Sequence, residues 1–467
     1  MNSSIDFQEF KQFIAGKKVA VIGVGISNRP LIKLLAELKA KVTAFDQRGA
    51  DDPALSSYRA ELAESGLAIS WSLGTDYLQN LQGFDLIFRT PILRPDEEHI
   101  RSELERGAIL TSEMEIFMTY CPAPIIGVTG SDGKSTTSTL IAELLRAQGY
   151  RVFLGGNIGR PLLSDIEQIS SEDRVVLELS SFQLLTASVS PKIAVVTNIT
   201  PNHLNVHRDM AEYVTAKEQL LAHQKITDKS VLFADDAYFK QFVSKSKGER
   251  IIFANHPIEY AGLSFYMEDG KLWRQRGSER SLLIDRSDLL LPGDYNVLNF
   301  LAACAAVDGD VDIPAIEQVA KTFSGVAHRV ELVREVDGVK YYNSSIDSSP
   351  NRSIATLSVF REKTGNNILI MGGQDKKCDY SQLGSAIAAT SRQVILCGQN
   401  SDLIENCLEG KDVEIQRVNN YEEALEIARQ WAKPGDRVVL TPAGTSFDRY
   451  LNFEQRGEDF RALVQRL

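Results

Sequence analysis

The stretch GVTGSDGKSTTST, residues 127–139, gathers the residue types that handle phosphate: glycines, a lysine and a run of hydroxyls. Backbone N–H groups of a glycine-rich turn, with a helix N-terminus behind them, can surround phosphate oxygens. Lys134 would neutralise the β- and γ-phosphates, and the Ser135 hydroxyl would ligate Mg²⁺. The common form of this loop is Gly, four residues, then Gly-Lys-Ser/Thr. Counting back from Gly133, the first glycine belongs at 128, but Val128 stands there and Gly127 comes one residue early. The plain alternative is an ordinary turn between a strand and a helix.

Other residues stand where strand ends could present them. Glu178, in LELSSFQL, closes an apolar run, and an acid ending the strand beside a phosphate-loop strand often holds Mg²⁺. A solvated strand-end carboxylate is the simpler reading. TNITPNHLNVH places His203 and His207 four apart, a zinc spacing if the segment is helical. An apolar strand precedes it and no further His or Cys lies near, so a single histidine as Mg²⁺ ligand, substrate contact or loop residue fits better. IGVGIS, with Asp46 ending the next strand, resembles half of a dinucleotide fingerprint. Asn28 replaces its third glycine, so the pattern suits a nucleotide group more than NAD itself. GGQDKKCD and TPAGTSFD each follow an apolar strand late in the chain. Ligands of open parallel sheets bind beyond the carboxyl ends of strands, which makes Lys376, Lys377 and Ser446 candidates for an anionic substrate; a solvated loop is the alternative.

These residues need a scaffold of alternating strands and helices. KKVAVIG, KVTAFD, LAISWSL and FDLIFRT read as strands of a first block, with Leu31, Leu34, Leu35 and Leu38 at helical spacing between the first two. A second block begins near Cys121 with the strand APIIGVTG, the helical run STTSTLIAELLRAQG, and the strands RVVLELS, KIAVVTN and SVLFADD. The turn signals MEDGKLW and LPGDYN bracket a region with the look of hairpins. A third block, from near Val326, has a hairpin, VELVREVDGVKYYN, then strands NNILIMGG, RQVILCG and DRVVLTP. This is the alternation of doubly wound α/β sheets, and 467 residues suit roughly three domains of about 150 residues. The net charge of -11 argues against a nucleic-acid or membrane surface as main partner. Five cysteines without a CxxC, no long apolar run and no signal-peptide pattern point to free thiols in a cytoplasm.

Taken together, the motifs resemble the Mur ligase family, whose phosphate loop TGxxGK(S/T)(S/T) is matched by TGSDGKST. GGNIG at 155–159, ELSSFQL at 178–184, TPNHL at 200–204, Lys217 in YVTAKEQL, NVLN at 296–299, HR at 328–329 and NFEQRG at 452–457 follow in the family's order. The last is characteristic of the member that adds D-glutamate. The resemblance covers essentially the whole chain. It implies three domains: a Rossmann-like UDP-substrate domain (1–119), a P-loop ATPase-like ATP domain (120–325) and a Rossmann-like D-glutamate domain (326–467). It implies an ATP-dependent amide ligase of cytoplasmic peptidoglycan precursor synthesis, acting as a monomer on UDP-N-acetylmuramoyl-L-alanine and D-glutamate, with neither nucleic acid nor membrane insertion.

By the same resemblance, Gly130, Ser131, Asp132, Gly133, Lys134, Ser135 and Thr136 hold ATP, with Asn296, Asn299, Arg329 and Asp347 as further nucleotide contacts. Ser135, Glu178, His203 and Lys217 serve two Mg²⁺ sites, Lys217 as a carbamate, and Lys134, His203 and Lys217 carry catalysis. Ile26, Ser27, Asp46, Gln47, Arg48, Asn157, Ser180 and Gln183 face the UDP substrate. Ser348, Lys376, Ser446, Phe447 and Phe453 face D-glutamate.

The chain departs from the family pattern in places. NSSIDSSP stands at 343–350 where NDSKATN is usual, with Ser344 for Asp, Ile346 for Lys and Ser348 for Thr; a ribose contact by Asp347 in their place is a conjecture. NHLNVH replaces DHLDRH, and TPI at 90–92 replaces SPG, so the pyrophosphate loop lacks its glycine. Two rivals remain at this stage. Another Mur ligase or a folate polyglutamate synthetase would need a different first domain, and NFEQRG speaks against it. A P-loop nucleotide sensor would bind ATP without substrate-dependent phosphate release.

Overall fold

The computed structural model describes residues 6–25, 27–201, 206–291, 293–361, 367–375 and 378–467. Ile26, His203, Lys376 and Lys377, all singled out above, lie outside the described residues. The chain divides into two compact units, Met1–Phe323 and Ser324–Leu467. The first carries two sheets and the second carries one.

The first sheet contains β1 (Lys18–Ile22), β2 (Lys41–Asp46), β3 (Ser70–Leu73), β4 (Leu86–Phe88) and β5 (Ile109–Thr111) in the order β3-β2-β1-β4-β5, all parallel. The order reverses between β1 and β4, which opens a crevice beyond their carboxyl ends. The central strands are buried on both faces, which is why KVAVI and LIF are continuous apolar runs without alternation.

The second sheet contains β6 (Ile125–Thr129), β7 (Val152–Gly156), β8 (Arg174–Glu178), β9 (Ile193–Val196), β10 (Lys229–Phe233), β11 (Glu249–Ala254), β12 (Leu263–Glu268), β13 (Lys271–Arg276) and β14 (Glu279–Asp285). Their order is β14-β13-β12-β11-β10-β9-β6-β8-β7, parallel from β7 to β12 and antiparallel at β13 and β14. β6 therefore sits between β8 and β9, so residues following all three strands emerge at one end of the sheet. MEDGKLW does make a hairpin: Asp269 (φ 50) and Gly270 (φ 71) form its two-residue loop, both at the positive φ such turns demand. The region that MEDGKLW and LPGDYN bracket is antiparallel as expected, β13 pairing with β12 and with β14. LPGDYN leads into the helix Asp294–Ala306, which packs on the phosphate-loop helix Lys134–Ala147.

The third sheet contains β15 (Glu331–Val336), β16 (Val339–Asn343), β17 (Asn367–Met371), β18 (Gln393–Leu396), β19 (Glu414–Arg417) and β20 (Arg437–Leu440), ordered β15-β16-β20-β17-β18-β19. Only β15 is antiparallel, joined to β16 by a turn at Asp337 (φ 52) and Gly338 (φ 77). The mixed α/β reading thus holds. All five cysteines carry free thiols.

Candidate active site

Val128 is fully buried in β6, so the position where a common phosphate loop has glycine is here part of the sheet core. Gly127 is a packing residue, since a Cβ there would come within 2.7 Å of Pro191 Cγ. The glycines that shape the loop are Gly130 (φ 149) and Gly133 (φ 77). A Cβ on Gly130 would lie 1.9 Å from Thr197 Oγ1, and one on Gly133 2.2 Å from Asn299 Oδ1. No other residue type fits either place.

The segment after β9 clamps this loop. Ser131 N donates to Asn198 O (2.8 Å), Asp132 N to Asn198 Oδ1 (3.0 Å), and Thr197 Oγ1 to Asp132 O (2.6 Å). Lys134, at the start of its helix, donates from Nζ to Gly130 O (3.0 Å) and Ser131 O (2.8 Å). Ser135 and Thr136 follow in the helix's first turn. Asn299 Nδ2 donates to Asn296 Oδ1 (3.1 Å), and Thr137 Oγ1 to Asn299 Oδ1 (3.3 Å), so both asparagines back the loop.

Lys217 lies on the helix Met210–Ala222 and is 1% exposed. Its Nζ donates to Gly130 O (2.8 Å), the carbonyl that also accepts from Lys134, and to Thr129 Oγ1 (3.3 Å). Tyr213, one turn earlier, places its ring 4.7 Å from Nζ and its hydroxyl 2.9 Å from Ser131 Oγ. Burial, then the neighbouring Lys134, push the Lys217 ammonium well below the ordinary lysine value, against the pull of Glu178 and Asp132. Glu178 ends β8 in register with Val128 of β6 and is 1% exposed. Its Oε1 accepts from Asn157 Nδ2 (2.7 Å), while its Oε2 is buried without a hydrogen-bond partner.

His207 does not share a ring environment suited to zinc. Its Nε2 meets Ser181 Oγ at 2.8 Å, its ring stacks on Phe182 (5.0 Å between centroids), and burial holds it below the ordinary histidine value. Among the described residues no cluster of three or more His, Cys, Asp or Glu side chains could hold a metal ion by itself.

In the first sheet, Asp46 at the end of β2 accepts from Val24 N (2.7 Å) and from Arg48 N (3.0 Å), Nε (2.8 Å) and Nη2 (2.8 Å). Burial raises this carboxyl, but the Arg48 and Val24 donors outweigh it and hold it at about 2. Asn28, where a fingerprint glycine was missing, uses Nδ2 to hold Ile22 O (3.1 Å) and Gly23 O (2.8 Å). The tight turn survives by a side-chain bond. Ser27 precedes the helix Asn28–Glu37, and Gln47 is exposed beside Arg48. Ser180 and Gln183 face each other in a reciprocal capping box around the short helix Ser181–Leu184. Arg89 and Arg94, which sequence reasoning passed over, reach this helix and the Lys217 helix from the first sheet.

In the second unit, Arg329 is exposed between His328 (φ 62) and Val330 (φ 48), a strained backbone for non-glycine residues. Asp347 is buried and accepts from Thr441 Oγ1 (2.7 Å); burial, eased by hydroxyl donors, raises its carboxyl to about 6. Ser348 is half-buried beside it. Ser446 is buried, its carbonyl accepting from Arg449 N (3.0 Å) and Tyr450 N (2.8 Å), whereas Phe447 is 62% exposed. Phe453 opens the helix Phe453–Gln465, and its carbonyl accepts from Ser345 Oγ (2.8 Å).

A phosphate cradle backed by a buried lysine and a strand-end carboxylate, in a chain with three such sheets, defines a class, and comparison with known proteins assigns the chain to it. Residues 128–307 match the Mur ligase middle domain and residues 328–444 the Mur ligase, glutamate ligase domain. The chain is 47% identical to UDP-N-acetylmuramoylalanine--D-glutamate ligase of Acetivibrio thermocellus, covering 99% of each, and 43% identical to that of Ruminiclostridium cellulolyticum, covering 100% of each. The structure of UDP-N-acetylmuramate-alanine ligase from Thermotoga maritima shares the fold, at 18% identity with a TM-score of 0.53 over 96% of this chain and 99% of that one. The chain belongs to the Mur ligase family.

Proposed function

We propose that this chain is an ATP-dependent amide ligase that joins D-glutamate to the L-alanyl carboxylate of UDP-N-acetylmuramoyl-L-alanine, a step of peptidoglycan precursor synthesis. The observation that carries this reading is the 43–47% identity, over nearly the full length, to ligases named for that reaction. The domain limits 1–119, 120–325 and 326–467 assign the three sheets to UDP substrate, ATP and D-glutamate respectively. We also infer a monomer working in the cytoplasm; among the described residues no helix is long and apolar enough to cross a membrane.

A carboxylate resists an amine because oxide is a very poor leaving group. Transfer of the γ-phosphoryl group of ATP to one carboxylate oxygen forms an O–P bond as ADP departs, and gives an acyl phosphate. The D-glutamate amine then attacks the carbonyl carbon, phosphate leaves with the former carboxylate oxygen, and the amine loses a proton. No protein nucleophile is needed. The loop N–H groups and Lys134 hold the phosphates and neutralise charge as it develops. Gly130 and Gly133 let the loop close onto Thr197 and Asn299, where a Cβ would push it away, and so keep its N–H groups in place. Most of the remaining work is positioning.

The buried, partnerless Oε2 of Glu178 fits a hard divalent cation such as Mg²⁺, which takes oxygen ligands. Ser135, Glu178 and, by resemblance, His203 would hold it, and bound Mg²⁺ would supply positive charge at the phosphate oxygens. On the family pattern, a carbamylated Lys217 would serve a second site. Burial favours its neutral amine, which can add CO₂ with loss of a proton to give a carbamate, a carboxylate-like ligand. Arg329 and Asp347 are assigned to the nucleotide, and Ser348, Lys376, Ser446, Phe447 and Phe453 to D-glutamate, on the family pattern.

The test is a substrate panel. ADP and phosphate should form only when ATP, Mg²⁺, UDP-N-acetylmuramoyl-L-alanine and D-glutamate are all present. Equal turnover with L-glutamate, or turnover without an amino acid, would sink the assignment.

A further inference from the structure

The segment 89–96 takes no part in the chemistry above, yet it carries two arginines with unusual connections. It leaves β4 beside the crevice where the first sheet's strand order reverses. Thr90 N donates to Ile22 O (3.1 Å), and a Cβ on Gly23 would lie 3.0 Å from Thr90 Cβ, so the segment packs directly on the turn after β1. The segment thus lies at the edge of that crevice.

Arg89 is 2% exposed. Its Nη1 holds the loop around itself by donating to Thr90 O (3.3 Å), Pro91 O (2.9 Å) and Leu93 O (2.6 Å). Its Nη2 crosses to the second sheet's layer, donating to Phe182 O (3.0 Å) and Thr186 Oγ1 (3.2 Å). All five acceptors are neutral. A buried guanidinium compensated in this way is expensive to place and ties together whatever it touches.

Arg94 makes the second connection. Its Nη1 and Nη2 form a fork on Glu212, at 3.2 Å to Oε2 and 2.8 Å to Oε1, and Nη1 also donates to Val206 O (3.1 Å). Glu212 lies in the first turn of the helix that carries Tyr213 and Lys217. Its Oε2 approaches His207 Nδ1 to 3.4 Å, and His207 Nε2 meets Ser181 Oγ at 2.8 Å. Arg89 therefore ends on the Ser181–Leu184 helix and Arg94 on the Lys217 helix, with His207 packed between the two.

We propose that Arg89 and Arg94 are positioning residues that couple occupation of the first-sheet crevice to the Ser181–Leu184 and Met210–Ala222 helices, so that the UDP substrate and the magnesium nucleotide bind cooperatively. This rests on the function proposed above. Coupling between two sites must be reciprocal, and typically amounts to about fivefold or more in affinity. TPI in place of a glycine-containing loop suits this role: a segment pinned by two guanidiniums transmits a displacement that a glycine hinge would absorb.

The experiment is calorimetric titration of the full chain with Mg·ADP, with and without saturating UDP-N-acetylmuramoyl-L-alanine, alongside thermal midpoints of the ligand-free proteins. The wild-type Kd for Mg·ADP should fall about fivefold or more when the UDP substrate is bound. In Arg89→Met and Arg94→Ala the ratio should approach one. Arg94→Lys, which keeps the charge but not the fork, should fall between. Arg94 is partly exposed, so its variants stay foldable should Arg89→Met not be. A lowered midpoint with the wild-type ratio retained in Arg94→Ala would mean a merely structural role and overturn the proposal. So would a wild-type ratio of one. A wild-type chain that binds no UDP substrate at all would instead overturn the proposed function, and the coupling with it.

Discussion

The phosphate loop of the first unit and the loops proposed to hold D-glutamate in the second are built in contrasting ways. Around Gly130 the critical positions are backbone: one carbonyl accepts from both Lys134 and Lys217, and residues 197–200 clamp the loop from the next strand. In the second unit the described residues of the proposed pocket lie apart, Asp347 and Ser348 after β16, Ser446 and Phe447 after β20 and Phe453 at the start of its helix, with Asp347 and Ser446 buried and Phe447 exposed. A phosphate cradle can be made rigid in advance because phosphate oxygens take only donors, which the backbone can supply. An amino-acid pocket gains selectivity from side chains on loops. The two regions should therefore fail differently when altered.

The largest effect is expected at Lys217. Lys217→Ala and Lys217→Arg should each lower kcat by about 10³-fold, the upper end for losing an electrostatic group. Acetate should partly restore Lys217→Ala by filling the vacated oxygen positions. Guanidinium cannot be carbamylated, so near-wild-type turnover by Lys217→Arg would rule the carbamate out as a requirement. Next is Lys134→Ala, where a loss of about 10² in kcat is expected from single-turnover phosphoryl transfer. On the glutamate side, Lys376→Ala should raise the KM for D-glutamate by about tenfold or more, the cost of one charge-assisted bond, while ATP binding is unchanged. An unaltered KM would remove Lys376 from the pocket.

The smallest effects contrast one carboxylate from each unit. Asp46 is held at about 2, below its unfolded value, so the stability it adds is present above about pH 4 and is lost as pH falls through about 2. Asp347 is raised to about 6, so the stability tied to its protonated form is full below about pH 4 and is lost as pH rises through about 6. Urea unfolding should show Asp46→Asn destabilised by about 1–2 kcal/mol at pH 7, with the gap closing toward acid. Asp347→Asn should gain on wild type by about 1–2 kcal/mol between pH 4 and pH 7. Trends of the same sign would break the contrast.

How much the sequence disclosed follows from how local each signal is. The phosphate loop, the buried strands and the DG turns are written in consecutive residues, and they stand where expected. Glu178 was legible as a strand-end acid, though its orphaned oxygen was not. MEDGKLW and LPGDYN bracket the antiparallel strands because turn signals, too, are written in consecutive residues. Asn28 looked like a lost glycine because the fingerprint records residue type, while the turn needed only two carbonyls held. Arg89 and Arg94 escaped because their partners, Phe182 and Glu212, lie 93 and 118 positions away, and nothing in their own neighbourhood marks them.

The central claim is that ATP activates the L-alanyl carboxylate as an acyl phosphate, and isotope transfer tests it most directly. UDP-N-acetylmuramoyl-L-alanine labelled with ¹⁸O in its carboxylate would be turned over with ATP, Mg²⁺ and D-glutamate, and the released phosphate analysed by mass spectrometry. One ¹⁸O atom should appear in each phosphate, carried across when the acyl phosphate breaks down. Phosphate without the label, formed alongside the amide product, would contradict the account.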